Sequence, residues 1–515
     1  MRFARLAALA ALAALVPLAA CTDFLTEDPE DFFSPASFPA SEGDLKLALG
    51  GIDEWYTGGA NQAYYIRGWP MITEVPSDQT ITQSTTDGRY EQDAFTYNSN
   101  NEWLWRVWRQ AYGAINHANL LIARVPQVQG VTPAVRDRYL GAAKFHRALN
   151  HFNAARVWGS VPLMLEPVSD FAGASQTARA PLPELYAAIV ADLVDAAKLL
   201  PVRWPDATTP DDGRPTRGAA NAMLADVYLN MSGALVRQPK WAEAAAAAKA
   251  VIDSRAYSLV PDFATLWLVQ SKNGPEHVFS IQFEGLVRNL FTTQSRPAGI
   301  GTESGFNYWY TTADFMDTFA DADARKRPTF LTEVTVSGRT YYYDRNSTGG
   351  TGAAATAFGN KRTRGAGFER FMPYYGKFYD NGGASITTNS GRSNLNWPVY
   401  RYAEVLLFHA EAENEANGPT AAAYASINEV RARAKLPPLA GLSQAAFRDA
   451  VRQERSWELA FESKRLFDLK RWGTFLDVLG SDRVARLGVK PHHVLAAIPQ
   501  REIDLNPQLG QNPGY

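Results

Sequence analysis

The sequence predicts a mostly α-helical protein, built as a stack of helix pairs that carries a loop-rich, partly β region. Three observations predict it. Apolar residues recur at a 3.6-residue period through both the N-terminal half and the C-terminal third. The helical stretches are short and separated by turn residues and prolines. Between them, residues 275–395 break into short β-like runs among Gly, Asn, Ser and Thr.

The periodic stretches come in order. Over 103–125 the apolar stripe is Leu104, Trp108, Ala111, Ile115, Ala118 and Ile122, and over 135–157 it is Tyr139, Ala142, Phe145, Leu149, Phe152 and Ala155. Residues 184–200 carry Tyr186, Ile189, Leu193, Ala196 and Leu200, entered through Pro183 and stopped by Pro201. Thr216 is placed to cap a helix through Met223, Val227 and Met231, and Trp241 to Ile252 is an alanine-rich helix suited to close packing. Short helices alternating with short turns point to a tetratricopeptide-like superhelix, although the repeat consensus is not clean.

The central region adds β runs at His277 to Phe283 and Thr340 to Tyr343, flexible turns at Gly349 to Gly352 and Asn381 to Gly383, and an aromatic cluster. That cluster is Phe306, Tyr308, Trp309, Tyr310, Tyr341 to Tyr343, Tyr374 and Tyr375. Helix returns at Tyr402 to Asn417, stopped by Gly418-Pro419, and at Ala421 to Ala434. A last helix is expected from Ser443 to about Trp472, with Leu442 and Phe447 placed as a hydrophobic staple.

The N-terminus reads as a signal peptide over 1–20, with Arg2 and Arg5 before an apolar run too short to span a bilayer. Leu18-Ala19-Ala20-Cys21 matches the processing site of a bacterial lipoprotein, and Cys21 is the sole cysteine of 515 residues. Acylation there anchors a domain at ~0.8 kcal/mol per buried methylene. Residues 21–40 form an acidic tether (Asp23, Glu27, Asp28, Glu30, Asp31) of the kind that resembles an export signal to the outer face. Residues 41–270 and 271–515 then divide into an N-terminal helical region and a C-terminal region with the aromatic loop insertion. A formal charge of −2, without a basic stripe, argues against nucleic acid as a partner.

Catalytic signatures are weak. H-E-x-x-H, the phosphate-binding G-x-x-x-x-G-K-[ST] and G-x-S-x-G are all absent, and the seven histidines show no metal-ligand spacing. No cofactor or metal is expected. Arg455, Glu458, Glu462, Arg465, Asp468 and Arg471 are spaced 3, 4, 3, 3 and 3, a charge stripe along one helical side that reads as architecture.

Several segments together resemble the SusD/RagB family of nutrient-uptake lipoproteins. They are Arg401-Tyr402-Ala403-Glu404-Val405-Leu406-Leu407, Ile427 to Ala434, Glu454-Arg455-Ser456-Trp457-Glu458-Leu459-Ala460-Phe461-Glu462 and Arg465 to Gly473. The N-terminal half adds Tyr112 to Asn119, Gly159-Ser160-Val161-Pro162-Leu163 and Gly213 to Ala220. Ser463-Lys464 stands where the family usually has a glycine before Arg465, and Pro215 interrupts the Gly-Arg-x-Thr segment.

The resemblance implies tetratricopeptide-like helix pairs supporting a ligand face, lipid anchoring in the outer membrane, and a TonB-dependent transporter as partner. It also implies binding without chemistry, commonly of a glycan. Family ligand contacts near the loop before the first long helix, and in the central loops, single out Trp69, Tyr97, Tyr308 and Trp309 as sugar platforms. Asp78, Asn98 and Asn101 are the matching polar partners. A helical glycoside hydrolase and a protein-binding scaffold are the competing functions.

Overall fold

The structure is a computed structural model. It describes residues 38–515 apart from 59–63, 83–86, 209–211, 286–288, 291, 297–304, 307, 337–338, 343–361, 365–367, 371–372, 380–392 and 481–487, with backbone only for the rest of 333–372. Cys21 and the acidic tether, Tyr343, Gly349 to Gly352 and Asn381 to Gly383 lie outside the described residues.

Helices dominate. Helix α1 (Glu42–Thr57) opens with a capping box in which Ser41 and Asp44 satisfy each other's backbone N–H. It is followed by α2 (Trp69–Thr73) and α3 (Gly88–Ala94), then by the long α4 (Glu102–Arg124) and α5 (Pro133–Trp158). Asn101 caps α4 and Thr132 caps α5, while Pro133 occupies a first-turn position where no backbone donor is needed. The stack continues through α6 (Leu182–Leu199), α7 (Arg217–Ser232) and α8 (Trp241–Ser254). Thr216 accepts from Ala219 N at the start of α7, as the sequence predicts.

After the central region come α9 (Tyr402–Asn417), α10 (Ala421–Arg433), α11 (Gln444–Glu458), α12 (Arg465–Trp472) and α13 (Gln500–Leu505). Packing is between neighbours: α1 on α4, α4 on α5, α5 on α6, α6 on α7, α7 on α8, α8 on α9, and α9 on α10 and α11. Each pair buries its apolar stripe on the next, so one core runs through the stack. Small residues set the spacing, with Ala219, Ala220, Ala222 and Ala225 of α7 and Ala244 and Ala248 of α8 all buried. Gly113 of α4 leaves room for the Trp55 ring; a methyl there would sit 2.5 Å from it.

The central region contributes short antiparallel ribbons. Strand β1 (Thr80–Thr82) pairs with β3 (Trp309–Thr311), and β2 (His277–Ile281) pairs with β10 (Trp397–Arg401). Strands β4 (Phe330–Leu331) and β9 (Tyr374–Tyr375) form a third pair. The β5–β6 hairpin (Glu333–Val336, Arg339–Tyr342) covers the run predicted at Thr340, and β7–β8 (Arg362–Arg364, Phe368–Arg370) completes the set among the described residues.

One expectation is corrected. The helix predicted from Ser443 to Trp472 is two helices, broken at Leu459–Lys464, where Phe461 and Ser463 adopt φ of 67° and 58°. The break has a physical cause. Lys377 Nζ and Arg401 Nη2 both donate to the Glu458 carbonyl, at 2.8 and 3.1 Å, and so cap the C-terminal end of α11 with buried cations. The charge stripe is therefore not one helical edge but a buried lattice between elements.

In that lattice Arg401, 1 % exposed, reaches Glu276 (2.6 Å), Glu462 (2.7 and 2.8 Å) and Glu458 (3.0 Å). Arg325 reaches Asp323, Glu454 and Glu458, and Arg433 reaches Glu458 at 2.6 Å. Burial would push the Glu458 carboxyl up, but Arg433, Arg401 and Arg325 override it and hold it well below the usual carboxylate range. Burial pushes Lys377 down to about 8, against the pull of Glu462. The lattice ties the central region (residues 276, 323–325, 377 and 401) to the helices behind it.

Candidate ligand-binding site

Two segments distant in sequence meet at the N-terminal end of α4. The first runs from Arg67 through β1 and α3; the second leads into β3. Pairing of Thr82 with Trp309 draws them together, and Thr82 Oγ1 donates to the Tyr308 carbonyl at 3.1 Å. Asp93 of α3 accepts from Thr82 N at 3.0 Å and holds β1 against that helix. Behind the site, Phe306 N and Tyr308 N donate to the carbonyls of Thr293 and Gln294, both at 2.9 Å.

The resulting cluster is aromatic and cationic. Tyr308 is half-buried, and two guanidinium groups lie over its ring, Arg67 at 4.5 Å and Arg89 at 4.3 Å from the centroid. Arg67 also lies 4.6 Å from the Trp103 ring, which Arg106 approaches at 5.1 Å. Phe306, 39 % exposed, stands 5.3 Å from Tyr308 and offers its ring to solvent. Arg89 pairs with Asp87, the N-cap of α3, and Arg106 with Glu102 at 2.8 Å.

Arg67 has neither an ion pair nor a hydrogen bond among the described residues. Burial pushes its pKa down; the Tyr308 hydroxyl and Glu102 oppose that, and the guanidinium groups of Arg89 and Arg106 add to it.

Of the residues singled out from sequence, Tyr308 alone is both accessible and in this cluster. Trp69 is corrected to core: it is 4 % exposed and packed among Tyr64, Tyr65 and Phe467, so no sugar reaches its faces. Tyr97 is likewise interior, stacked on Tyr515 at 5.8 Å, with its hydroxyl accepting from the Tyr515 hydroxyl at 3.0 Å. Asn101 is 3 % exposed, and its side chain is fully engaged by Trp103 N, Gln92, the Gly88 carbonyl and Glu91. Asp78 is held by both nitrogens of the Arg465 fork at 2.8 Å, a link between β1's approach and α12. Trp309 is 5 % exposed beneath its neighbour. Asn98 is exposed, and its Oδ1 accepts from Asn100 N at 2.9 Å.

The sequence singled out Tyr308 of this cluster but not Arg67 or Arg89. Their only local signal is adjacency to Trp69 and to the Asp87 cap; the pairing of β1 with β3 is what brings them to Tyr308. A cavity of about 610 Å³ lies elsewhere, lined by Met164, Leu165, Glu166 and Val168, and carries no aromatic or arginine side chain.

Residues 298–515 match the SusD family, and residues 51–229 match a family described as starch-binding and associating with the outer membrane. "SusD-like protein P25" of Formosa agariphila is 26 % identical, over 96 % of this chain and 97 % of its own length. A SusD superfamily structure from Parabacteroides distasonis is 25 % identical with a TM-score of 0.76, covering 92 % of this chain and 98 % of that one. A structure titled a laminarin-binding SusD-like protein shares the fold, at 23 % identity and a TM-score of 0.72, over 92 % of this chain and 99 % of that one. With the helical stack, the motifs across both halves and these matches in agreement, the chain belongs to the SusD family.

Proposed function

We propose that this protein is a cell-surface lipoprotein, anchored through acylated Cys21, that binds an oligosaccharide and delivers it to a TonB-dependent transporter of the outer membrane. The observation that carries the reading is the open Phe306 ring beside Tyr308, with fixed arginines around it, on a frame of packed helices. Aromatic rings take the apolar faces of sugars by burial and by contact with polarised C–H groups, while rigid polar neighbours orient the hydroxyls. Family membership supports the same reading, as do the described starch association of the 51–229 family and the laminarin binding of a protein with this fold. Among the described residues no helix is long and apolar enough to cross a membrane, so attachment through lipid fits the chain.

Binding without hydrolysis fits the local carboxylates. A glycosidase needs two free carboxyl groups facing each other across the sugar. Here Asp87 is paired with Arg89 and Glu102 with Arg106.

The test is affinity electrophoresis of the purified chain through gels containing polysaccharides, with the retained sugars analysed afterwards. Retention of at least one glycan with its chain length unchanged is expected. Phe306→Ala should weaken that retention about fivefold or more, the loss of one well-placed ring contact. New reducing ends, or retention that ignores Phe306, would contradict the proposal.

A further inference from the structure

We infer that the glycan held at this site is anionic, bearing carboxylate or sulfate groups, and that Arg67 is the residue that reads the charge. The inference rests on the glycan reading above and narrows it. Three guanidinium groups crowd the Tyr308–Trp103 pair, and two of them have a carboxylate each: Arg89 has Asp87 and Arg106 has Glu102. Glu91, the next acid on α3, is taken by the Asn101 amide at 2.8 Å. Among the described residues, Arg67 is the one left without an anion.

Its geometry suits recognition. The rings of Trp103 and Tyr308 lie 4.6 and 4.5 Å from its guanidinium carbon, and among the described residues its N–H groups donate to no acceptor. That edge is a planar fork matched to two oxygens of a carboxylate or a sulfate. The side chain is half-buried, where water screens a charge less than at the open surface. Burial and the two neighbouring cations work against its own charge, and an arriving anion relieves both.

The other polar groups singled out nearby are already engaged. Asn101 is committed at all its positions and Asp78 is bound to Arg465. What the described residues leave to offer a sugar is an apolar ring, Phe306, and a cationic fork, Arg67. An acidic sugar has both counterparts on one ring: an apolar face and a charged substituent.

Two matched pairs separate charge from sugar, and carboxylate from sulfate. They are oligogalacturonate with its methyl ester, and a sulfated galactan oligosaccharide with its desulfated form, each titrated calorimetrically into the full chain in detergent. The charged member of at least one pair should bind about tenfold tighter than its neutral partner, the gain of one charge-assisted pair of hydrogen bonds. The pair that shows the gap names the anion. Raising salt from about 50 to about 500 mM should shrink the gap, because screening acts on the charge alone.

Arg67→Gln should abolish the gap between the charged and neutral members of a pair, and Arg67→Lys should restore part of it. Should the glutamine variant melt early, Arg89→Gln serves as the second probe, since removing a cation beside Arg67 should narrow the gap with Arg67 still in place. Charged and neutral members binding within about twofold of each other would overturn this inference while leaving the glycan reading intact. Equal losses for both members in Arg67→Gln would do the same. Failure of every sugar to bind would overturn both.

Discussion

His146 on α5 has no exposed surface, and its Nδ1 lies 3.0 Å from the Tyr56 hydroxyl. Burial pushes its pKa from 6.5 to about 3, and burial followed by the nearby Arg147 does the same for His151. The folded chain therefore keeps both rings neutral where the unfolded chain protonates them. Below pH 6.5 the unfolded state binds the extra protons, so stability is complete above that value and drains away as pH falls toward 3. At pH 5 each ring accounts for a loss of about 2 kcal/mol. Melting curves from pH 7 to pH 5 should show a steep fall for the native chain and a shallower one for His146→Gln. Parallel falls would mean that the ring is not held neutral.

Single residues were also where sequence said least about the site. Trp69 and Tyr97 have the composition of sugar platforms, and both are core, because side-chain type fixes what a residue offers and not which way it faces. Asn101 is the sharper case: the same amide that suits a sugar hydroxyl also suits a helix N-cap, and it caps α4. Arg67 was not singled out, because its place in the cluster comes from Trp103 and Tyr308, residues far along the chain.

Among elements, periodicity and caps placed most helices within a residue or two, since Thr216, Ser443, Gly418 and the flanking prolines are local signals that local structure obeys. The break between α11 and α12 was invisible because its cause is tertiary: Lys377 and Arg401 arrive from the central region to cap Glu458. The missing glycine at Ser463 is the one local trace, for Ser463 sits at φ 58°, where glycine is at ease.

The same arginine supplies the prediction at this scale. Arg401→Met keeps the side-chain stem but leaves Glu276, Glu458 and Glu462 short of a buried partner. Breaking a buried pair from one side costs about 3–5 kcal/mol. Denaturant unfolding should show that loss, and a change under about 1 kcal/mol would mean the lattice is slack.

At the scale of the whole molecule, the charged lattice fixes β10 and α9 to α11 and α12, and the β1–β3 pair holds Tyr308 at the N-terminal end of α4. That end carries the aromatic and cationic side chains. A helical frame this continuous has little reason to close around cargo, so the site is expected to be formed before ligand arrives.

A crystal structure of the chain soaked with the tightest-binding oligosaccharide tests this directly. The sugar should lie against Phe306 with a charged substituent in hydrogen-bond reach of Arg67, and Tyr308, Trp103 and the α4 terminus should stay where they are. Sugar bound instead in the groove of Met164 to Val168, or at Phe306 with Arg67 turned away, would contradict the account.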